Sequence, residues 1–383
     1  MKRKFLYELH RILIGSIAAV FLLLSCKKNT TSSPPPSPGK DTVTKEISKV
    51  FGFDGQQRYA YCPSVIMQGA ERHIWFCGND PAGVFSDHIY YVRGDVTGAP
   101  KIVLAPGAAG SWDDRHVCDP SVIKGEFKFN GTIYAYAMFY LGNRSDRYYN
   151  EIGVAFAQTM DADSWIKYPS QLVPKTWVGD NDLAVGGGQA WGVGQPSALS
   201  EDGKGKVLLT YTIGDADGTR VVVREADLSD MDNVQLSAVR TVSTAGLTKL
   251  DYSTQNIVLS NADFAYDAER ATVYMTSHVL PTPSSYPNFI PAAVDLDKMP
   301  YNDFINGTGV WKLVQRISPS VSGFPRNHNS GIGRDAFGAI PDLTNAEHYF
   351  TVSKADPDVS LSQAAFAEWT YHIYVYKNID LTK

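Results

Sequence analysis

The sequence predicts an all-β chain closed into a five-bladed β-propeller, and three observations carry that expectation. A residue followed by Pro-Ser and apolar side chains recurs as Tyr61-Cys62-Pro63-Ser64-Val65, Cys118-Asp119-Pro120-Ser121-Val122 and Gly194-Gln195-Pro196-Ser197-Ala198. Degenerate echoes continue the series around Asn261-Ala262-Asp263-Phe264 and Asn327-His328-Asn329-Ser330. At a spacing of roughly 60 to 75 residues, five such units fill the chain once, which is the signature of a repeat architecture. Each phrase also precedes, by about a dozen residues, a run rich in β-branched and aromatic side chains, and no long 3.6-residue period competes with it.

The first 25 residues read as a targeting segment. Lys2, Arg3 and Lys4 precede an apolar run from Ile12 to Leu24, short for a membrane span and suited to a signal peptide. Its end, Leu23-Leu24-Ser25-Cys26, resembles a bacterial lipobox. That resemblance implies cleavage before Cys26, lipidation of its thiol, and a membrane-anchored lipoprotein of the cell envelope, periplasmic or on the cell surface. Lys27 and Lys28 follow, in place of the acidic stretch that often sends Bacteroidetes lipoproteins outward. Residues 26–47 then form the anchor and a Ser/Pro-rich tether, stiffened by proline and solvated by serine. Residues 48–383 are left for the propeller.

The blades follow in order. Blade one takes Tyr61–Met67, His73–Cys77 and His88–Val92. Blade two takes Asp119–Ile123, Thr132–Tyr140 and Ile152–Ala157, and blade three Gln195–Leu199, Lys206–Thr212 and Arg220–Glu225. Blade four is read as Asn256–Tyr266, Ala271–His278 and Ala292–Leu296, and blade five as Asn329–Arg334, His348–Ser353 and Trp369–Tyr376. Asn130-Gly131 and Asp202-Gly203 fall where first hairpins turn, and both pairs accept positive φ. In a propeller the innermost strand of every blade starts at one face of the disc. The loops entering each blade lie on that face, as do those joining second to third strands, so chemistry is expected there.

Composition narrows the function. The net charge is −5 with no basic stripe, which argues against a nucleic-acid partner. Aromatic residues make up 12% of the chain, more than a core alone requires. There is no Gly-x-Ser-x-Gly elbow, His-Glu-x-x-His helix, phosphate loop or Cys-x-x-Cys pair, and Gly186-Gly187-Gly188 lacks a following lysine and helix. With Cys26 lipidated, three cysteines remain in an oxidising compartment. Cys62 can oppose Cys77 across the first hairpin, Cys118 can meet Cys62 near the axis, or all three can stay buried thiols.

The blade starts, above all Cys118-Asp119-Pro120-Ser121-Val122 and Gly194-Gln195-Pro196-Ser197, resemble the five-bladed propeller glycosidases. That superfamily includes glycoside hydrolase families 43, 32, 68, 117 and 130, and the resemblance covers roughly residues 50 to 380 as a blade pattern. For family 43 it implies a base, a middle aspartate and an acid at the first three blade starts. These fall on Cys62, Asp119 and Gln195, of which Asp119 alone is a carboxylate. The missing acid or base is therefore sought among Asp87, Glu151 and Asp263, with Asp113, Asp114, Asp180 and Asp182 in loops of the same face. Family 43 enzymes often hold an ion in the central channel near a blade-five histidine, which makes His328 a candidate calcium or substrate contact.

Trp112, Trp177 and Trp191 are candidates to stack on sugar rings, whose C–H groups present apolar faces. Trp75 and Trp165 are expected in the core. His116, Gln195 and Arg326 complete the candidate substrate-binding set. Asn79-Asp80-Pro81-Ala82-Gly83 is similar to the Asn-Asp-Pro-Asn-Gly start of fructan-acting propellers, but it follows a second strand and reads as a turn. The expectation is a monomeric glycoside hydrolase acting on plant or host oligo- or polysaccharides, with no required cofactor. Its competitor is a glycan-binding propeller that has lost the catalytic carboxylates.

Overall fold

Five four-stranded antiparallel units, each contributing its first strand to a central axis, are laid out along the chain in this computed structural model. It describes residues 46–53, 58–82, 86–94, 98–147, 149–177, 190–250, 257–267, 269, 271–280, 282, 290–353 and 371–383. Cys26, Asp180, Asp182, the Gly186–Gly188 run, Asn256 and Trp369 lie outside the described residues.

Blade one is Ala60–Gln68, Glu71–Asn79, Asp87–Arg93 and Lys101–Leu104, and blade two is His116–Phe129, Thr132–Asn143, Asn150–Ala157 and Ile166–Lys167. Blade three is Gly192–Ser200, Lys206–Asp215 and Gly218–Asp227, edged by Gln235–Leu236 and Arg240–Thr241. Blade four is Asp263–Asp267, Thr272–Val279, Ala293–Pro300 and Lys312–Ile317. Its innermost strand begins at Asp263, later than the sequence suggested. Blade five is Arg326–Arg334, Ala346–Ser353 and His372–Ile379, and its outermost strand comes from the other end of the chain. Ile47–Phe51 pairs antiparallel with His372–Ile379, so the last blade is completed by the first described strand. That closure leaves no long open edge between first and last blades.

A buried apolar layer fills every gap between neighbouring blades. Trp75, Ile89 and Tyr91 meet Val122, Met138 and Tyr140 between blades one and two, where Trp75 and Trp165 pack edge to face. Phe139, Phe156 and Val193 meet Leu209 and Val222 between two and three, and Leu208 and Val223 meet Phe264 and Met275 between three and four. Tyr274 and Leu296 meet Ile332 and Ala346 between four and five. Phe76 and Tyr90 meet Tyr349 and Val375 between five and one. Five interfaces for five blades require a closed ring. The fold is a five-bladed β-propeller.

The recurring Pro-Ser phrase has a mechanical explanation. Its first residue is left-handed in every blade: Cys62, Asp119, Gln195, Asn261 and Asn329 have φ of 52°, 48°, 53°, 49° and 38°. Pairing with the second strand breaks just after this residue in blades one, two, three and five, as a bulge does. The residue two positions on then reaches the next blade. Ser64 accepts from the Val122 amide at 3.3 Å, Ser121 from Ala198 at 3.0 Å, and Ser197 from Phe264 at 3.0 Å. In blade four Asp263 takes this place and accepts from the Ile332 amide at 2.9 Å. In blade five Gly331 stands there because a Cβ would come within 2.2 Å of the Pro63 carbonyl oxygen. Blades five and one join instead through parallel backbone pairing of Gly333 with Val65.

Candidate functional site

The five left-handed residues form a hydrogen-bonded ring around the axis. The Cys62 thiol and the Gln195 backbone N–H both donate to the Asp119 carboxylate. Gln195 Oε1 accepts from the Asn261 amide at 2.8 Å, and Asn261 Oδ1 accepts from Asn329 Nδ2 at 2.8 Å. Asn329 Nδ2 also donates to Cys62 Sγ at 2.9 Å, which closes the circle. Blade five therefore contributes Asn329, one residue beyond the His328 that the sequence pattern favoured. On one side of the ring lies a cavity of about 470 Å³; on the other, between Pro63, Pro120, Pro196 and Ala262, a void of about 40 Å³.

Two described carboxylates face the large cavity, Asp119 and Asp87. Burial pushes the Asp119 pKa up to about 6, the Asp87 charge pushes the same way, and the Cys62 and Gln195 donors oppose the rise. Asp87 opens the third strand of blade one and accepts from the hydroxyls of Tyr59 and Tyr61, the latter at 2.9 Å. Burial first and the Asp87 charge second hold both tyrosines protonated as donors.

The cavity histidines are neutral. His116 Nδ1 accepts from the Asp87 amide at 3.0 Å and so carries no proton there; its 3.6 Å approach to the Asp87 carboxylate is not an ion pair. His278 Nε2 likewise accepts from the Asn329 amide at 2.7 Å, and burial lowers its pKa to about 3. His328 is lowered to about 4 by burial, with Nδ1 on Asn329 Oδ1 and Nε2 on the Ser353 hydroxyl, both at 2.6 Å. Tyr371 packs against His328 and Tyr61 and gives the cavity an aromatic wall. No lysine or arginine lines it among the described residues.

The residues near His328 do not fit calcium. That ion takes about six to eight oxygen ligands. Both His328 nitrogens are engaged, and the amide oxygens of Gln195, Asn261 and Asn329 already hold hydrogen-bond partners.

The other sequence candidates are dispersed. Glu151 sits one position past the cavity-lining Asn150 and faces away, accepting from Gln171 Nε2 at 2.7 Å and the Lys175 amide at 3.1 Å. Asp263 is an inter-blade link: besides Ile332 it accepts from the Ser197 hydroxyl at 2.7 Å and lies 3.5 Å from the Arg334 guanidinium. Asp113 is buried against Lys167 and Tyr140, and Asp114 holds the Gly110 and Ser145 amides. Trp112 stacks on Tyr140 over Gly142 and Gly153, where a Cβ would meet its ring. Trp191 covers Gly214 in the same way, and Trp177 meets Tyr149 edge-on. None of the three tryptophans lines the cavity. Arg326 is buried with its guanidinium on the Pro325 carbonyl, also off the cavity wall. The disulfide joins Cys77 to Cys118 and leaves Cys62 a thiol, a pairing outside the two that the sequence suggested.

Sequence reasoning missed Tyr61, Asn150, His278 and Tyr371. A signal for part of this wall was present. The residue just before the left-handed position lines the cavity in four blades, as Tyr61, Cys118, Ser260 and His328.

No protein-family model and no curated protein matches the chain. Solved structures do resemble it. A family 117 glycoside hydrolase produced by the marine bacterium Zobellia galactanivorans is 13% identical with a TM-score of 0.54, over 88% of this chain and 91% of that one. An α-L-arabinofuranosidase from Lactobacillus brevis is 10% identical with a TM-score of 0.55, over 84% and 90%. The α-L-arabinofuranosidase PaAbf62A from Podospora anserina, solved in complex with cellotriose, is 10% identical with a TM-score of 0.54, over 87% and 96%. At such identities the likeness is one of fold: this chain shares the five-bladed propeller of the glycoside hydrolases.

Proposed function

We propose that the protein is a divergent glycoside hydrolase whose site is the cavity above the axial ring. The observation that carries this reading is that Asp87 and Asp119 line one cavity in contrasting surroundings. Glycoside hydrolysis needs one carboxylic acid to protonate the leaving oxygen and one carboxylate to act as base or nucleophile. Asp119, with its pKa raised to about 6, suits the acid. Asp87, fixed by two tyrosine hydroxyls, suits the base or nucleophile. Neutral histidines and the absence of described cations favour an uncharged oligo- or polysaccharide, and Tyr61 and Tyr371 offer faces for sugar C–H groups. The fold shared with arabinofuranosidases supports plant glycans as the first class to try.

A second reading has its own observation. Two of the three positions where the family resemblance implies carboxylates hold Cys62 and Gln195, and Gln195 has no proton to give. On that reading the cavity binds glycan without cleaving it. Incubation with a panel of neutral plant and host oligosaccharides, read by reducing-end release and by calorimetric binding, separates the two. Hydrolysis lost in Asp119→Asn and in Asp87→Asn supports the enzyme; binding with no product supports the binder; neither binding nor product overturns both. Lipid anchoring of a monomer through Cys26 belongs to the same proposal, and Cys26→Ser is expected to release the chain from the membrane fraction.

A further inference from the structure

Three sulfurs and a carboxylate converge at the axis in a way that glycan chemistry does not use. One ligand atom each from Cys62, Cys77, Cys118 and Asp119 lies within 4.8 Å of every other. The four come from three different strands: Cys62 from the innermost strand of blade one, Cys77 from its neighbour, and Cys118 with Asp119 from the innermost strand of blade two. Packing of blade one against blade two, not local sequence, brings them together. Two N–H groups already point at sulfur: the Asp119 amide at Cys77 Sγ and Asn329 Nδ2 at Cys62 Sγ, each at 2.9 Å. A neutral thiol or disulfide is a weak acceptor, whereas N–H donors around a metal thiolate are a usual outer shell that holds the ligand and spreads its charge.

We propose that, once the Cys77–Cys118 disulfide is opened, Cys62, Cys77, Cys118 and Asp119 bind one thiophilic divalent cation of the zinc class. Opening requires a dithiol reductant. The reductant passes two electrons and two protons to the bridge, giving two thiols and its own disulfide. The cation then displaces the thiol protons to solvent and takes three thiolate sulfurs at about 2.3 Å and one carboxylate oxygen at about 2.0–2.2 Å. That shell calls for sulfurs roughly 3.8 Å apart by tetrahedral geometry, within the present 4.8 Å limit of the cluster. Occupation removes Asp119 from the cavity wall, so the reduced, loaded chain has its candidate acid tied to the metal. The cluster and the glycan reading share Asp119 but not their readouts, so either can fail alone.

The test uses the full chain, oxidised or reduced with dithiothreitol and desalted anaerobically, titrated with Co²⁺ and then Zn²⁺. The reduced chain is expected to take one equivalent, with thiolate-to-cobalt charge-transfer bands that Zn²⁺ abolishes, and the oxidised chain none. Cys62→Ser should weaken binding at least tenfold; Cys26 contributes no such dependence. X-ray absorption on the zinc-loaded wild type should count three sulfur neighbours, a readout independent of how the variant folds. No charge-transfer band in the reduced chain, equal binding by Cys62→Ser, or a sulfur count below three overturns the proposal.

Discussion

Arg334 offers the sharpest test of how the propeller is closed. Its side chain is about 1% exposed and runs from blade five to three other blades. Nη1 donates to the Phe264 carbonyl at 2.6 Å and to the Ser197 hydroxyl at 3.4 Å, Nη2 donates to the Ser121 hydroxyl at 2.9 Å, and Asp263 lies 3.5 Å away. Arg334→Met keeps much of the stem and deletes the charge. Breaking a buried pair from one side costs about 3–5 kcal/mol, because the partner is left uncompensated. Nε is buried without a partner in the native state, which trims the loss, and about 4 kcal/mol is expected. Urea unfolding followed by tryptophan fluorescence and by circular dichroism measures it, coincident curves justifying a two-state treatment. Adding Asp263→Asn to Arg334→Met should recover about 1–2 kcal/mol, since the carboxylate left without its counter-charge is then gone. A single variant within about 1 kcal/mol of wild type would refute the bridging role given to Arg334, and a double variant no better than the sum of its parts would refute its coupling to Asp263.

Three further outcomes follow from the same geometry. A carboxyl whose pKa is higher folded than unfolded contributes stability that is full below the ordinary aspartate value and lost as pH rises through the folded value. With Asp119 raised from 3.8 to about 6, Asp119→Asn should therefore gain on wild type between about pH 4 and 6. The gain is at most about 3 kcal/mol, less where cavity water screens the charge, and paired thermal melts at pH 4 and 7 read it. Gly331→Ala should cost about 3 kcal/mol or more, because its Cβ meets the Pro63 carbonyl oxygen and not a side chain that can swing away; melting unchanged from wild type would count against the closure described. Reducing Cys77–Cys118, which are 41 residues apart, should lower stability by about 2–4 kcal/mol. An unchanged unfolding midpoint in dithiothreitol would mean that the bridge adds nothing.

The ring was legible in the sequence because each blade repeats one mechanical problem. A left-handed residue must turn the chain, and a small polar residue must then reach the next blade, so Pro-Ser recurs at blade spacing. The echoes were harder to align for the same reason. Asp263 does the serine's work and Gly331 has no side chain, which placed His328 one residue out of register with Asn329. Glu151 shows the limit of a period-two pattern: one step along a strand reverses the face, and Asn150 took the cavity side. The tryptophans misled for a different reason. Trp112 and Trp191 lie over glycines of other strands, and only strand register reveals that Gly142, Gly153 and Gly214 are their seats. The fourth strand of blade five was unreadable as such, since Ile47–Phe51 lies at the opposite end of the chain from its partners. Cys77–Cys118 was missed because it crosses from a second strand to the next blade's first.

If Asp119 and Asp87 act on a glycan in the axial cavity, as proposed, both are required for its hydrolysis. The most direct measurement is the pH–rate profile of neutral oligosaccharide hydrolysis for wild type, Asp119→Asn and Asp87→Asn. The wild-type rate should fall as pH rises through about 6, where Asp119 loses its proton, and each variant should lose about a hundredfold or more. Wild-type activity retained by a folded Asp119→Asn, with its alkaline limb intact, would contradict the claim.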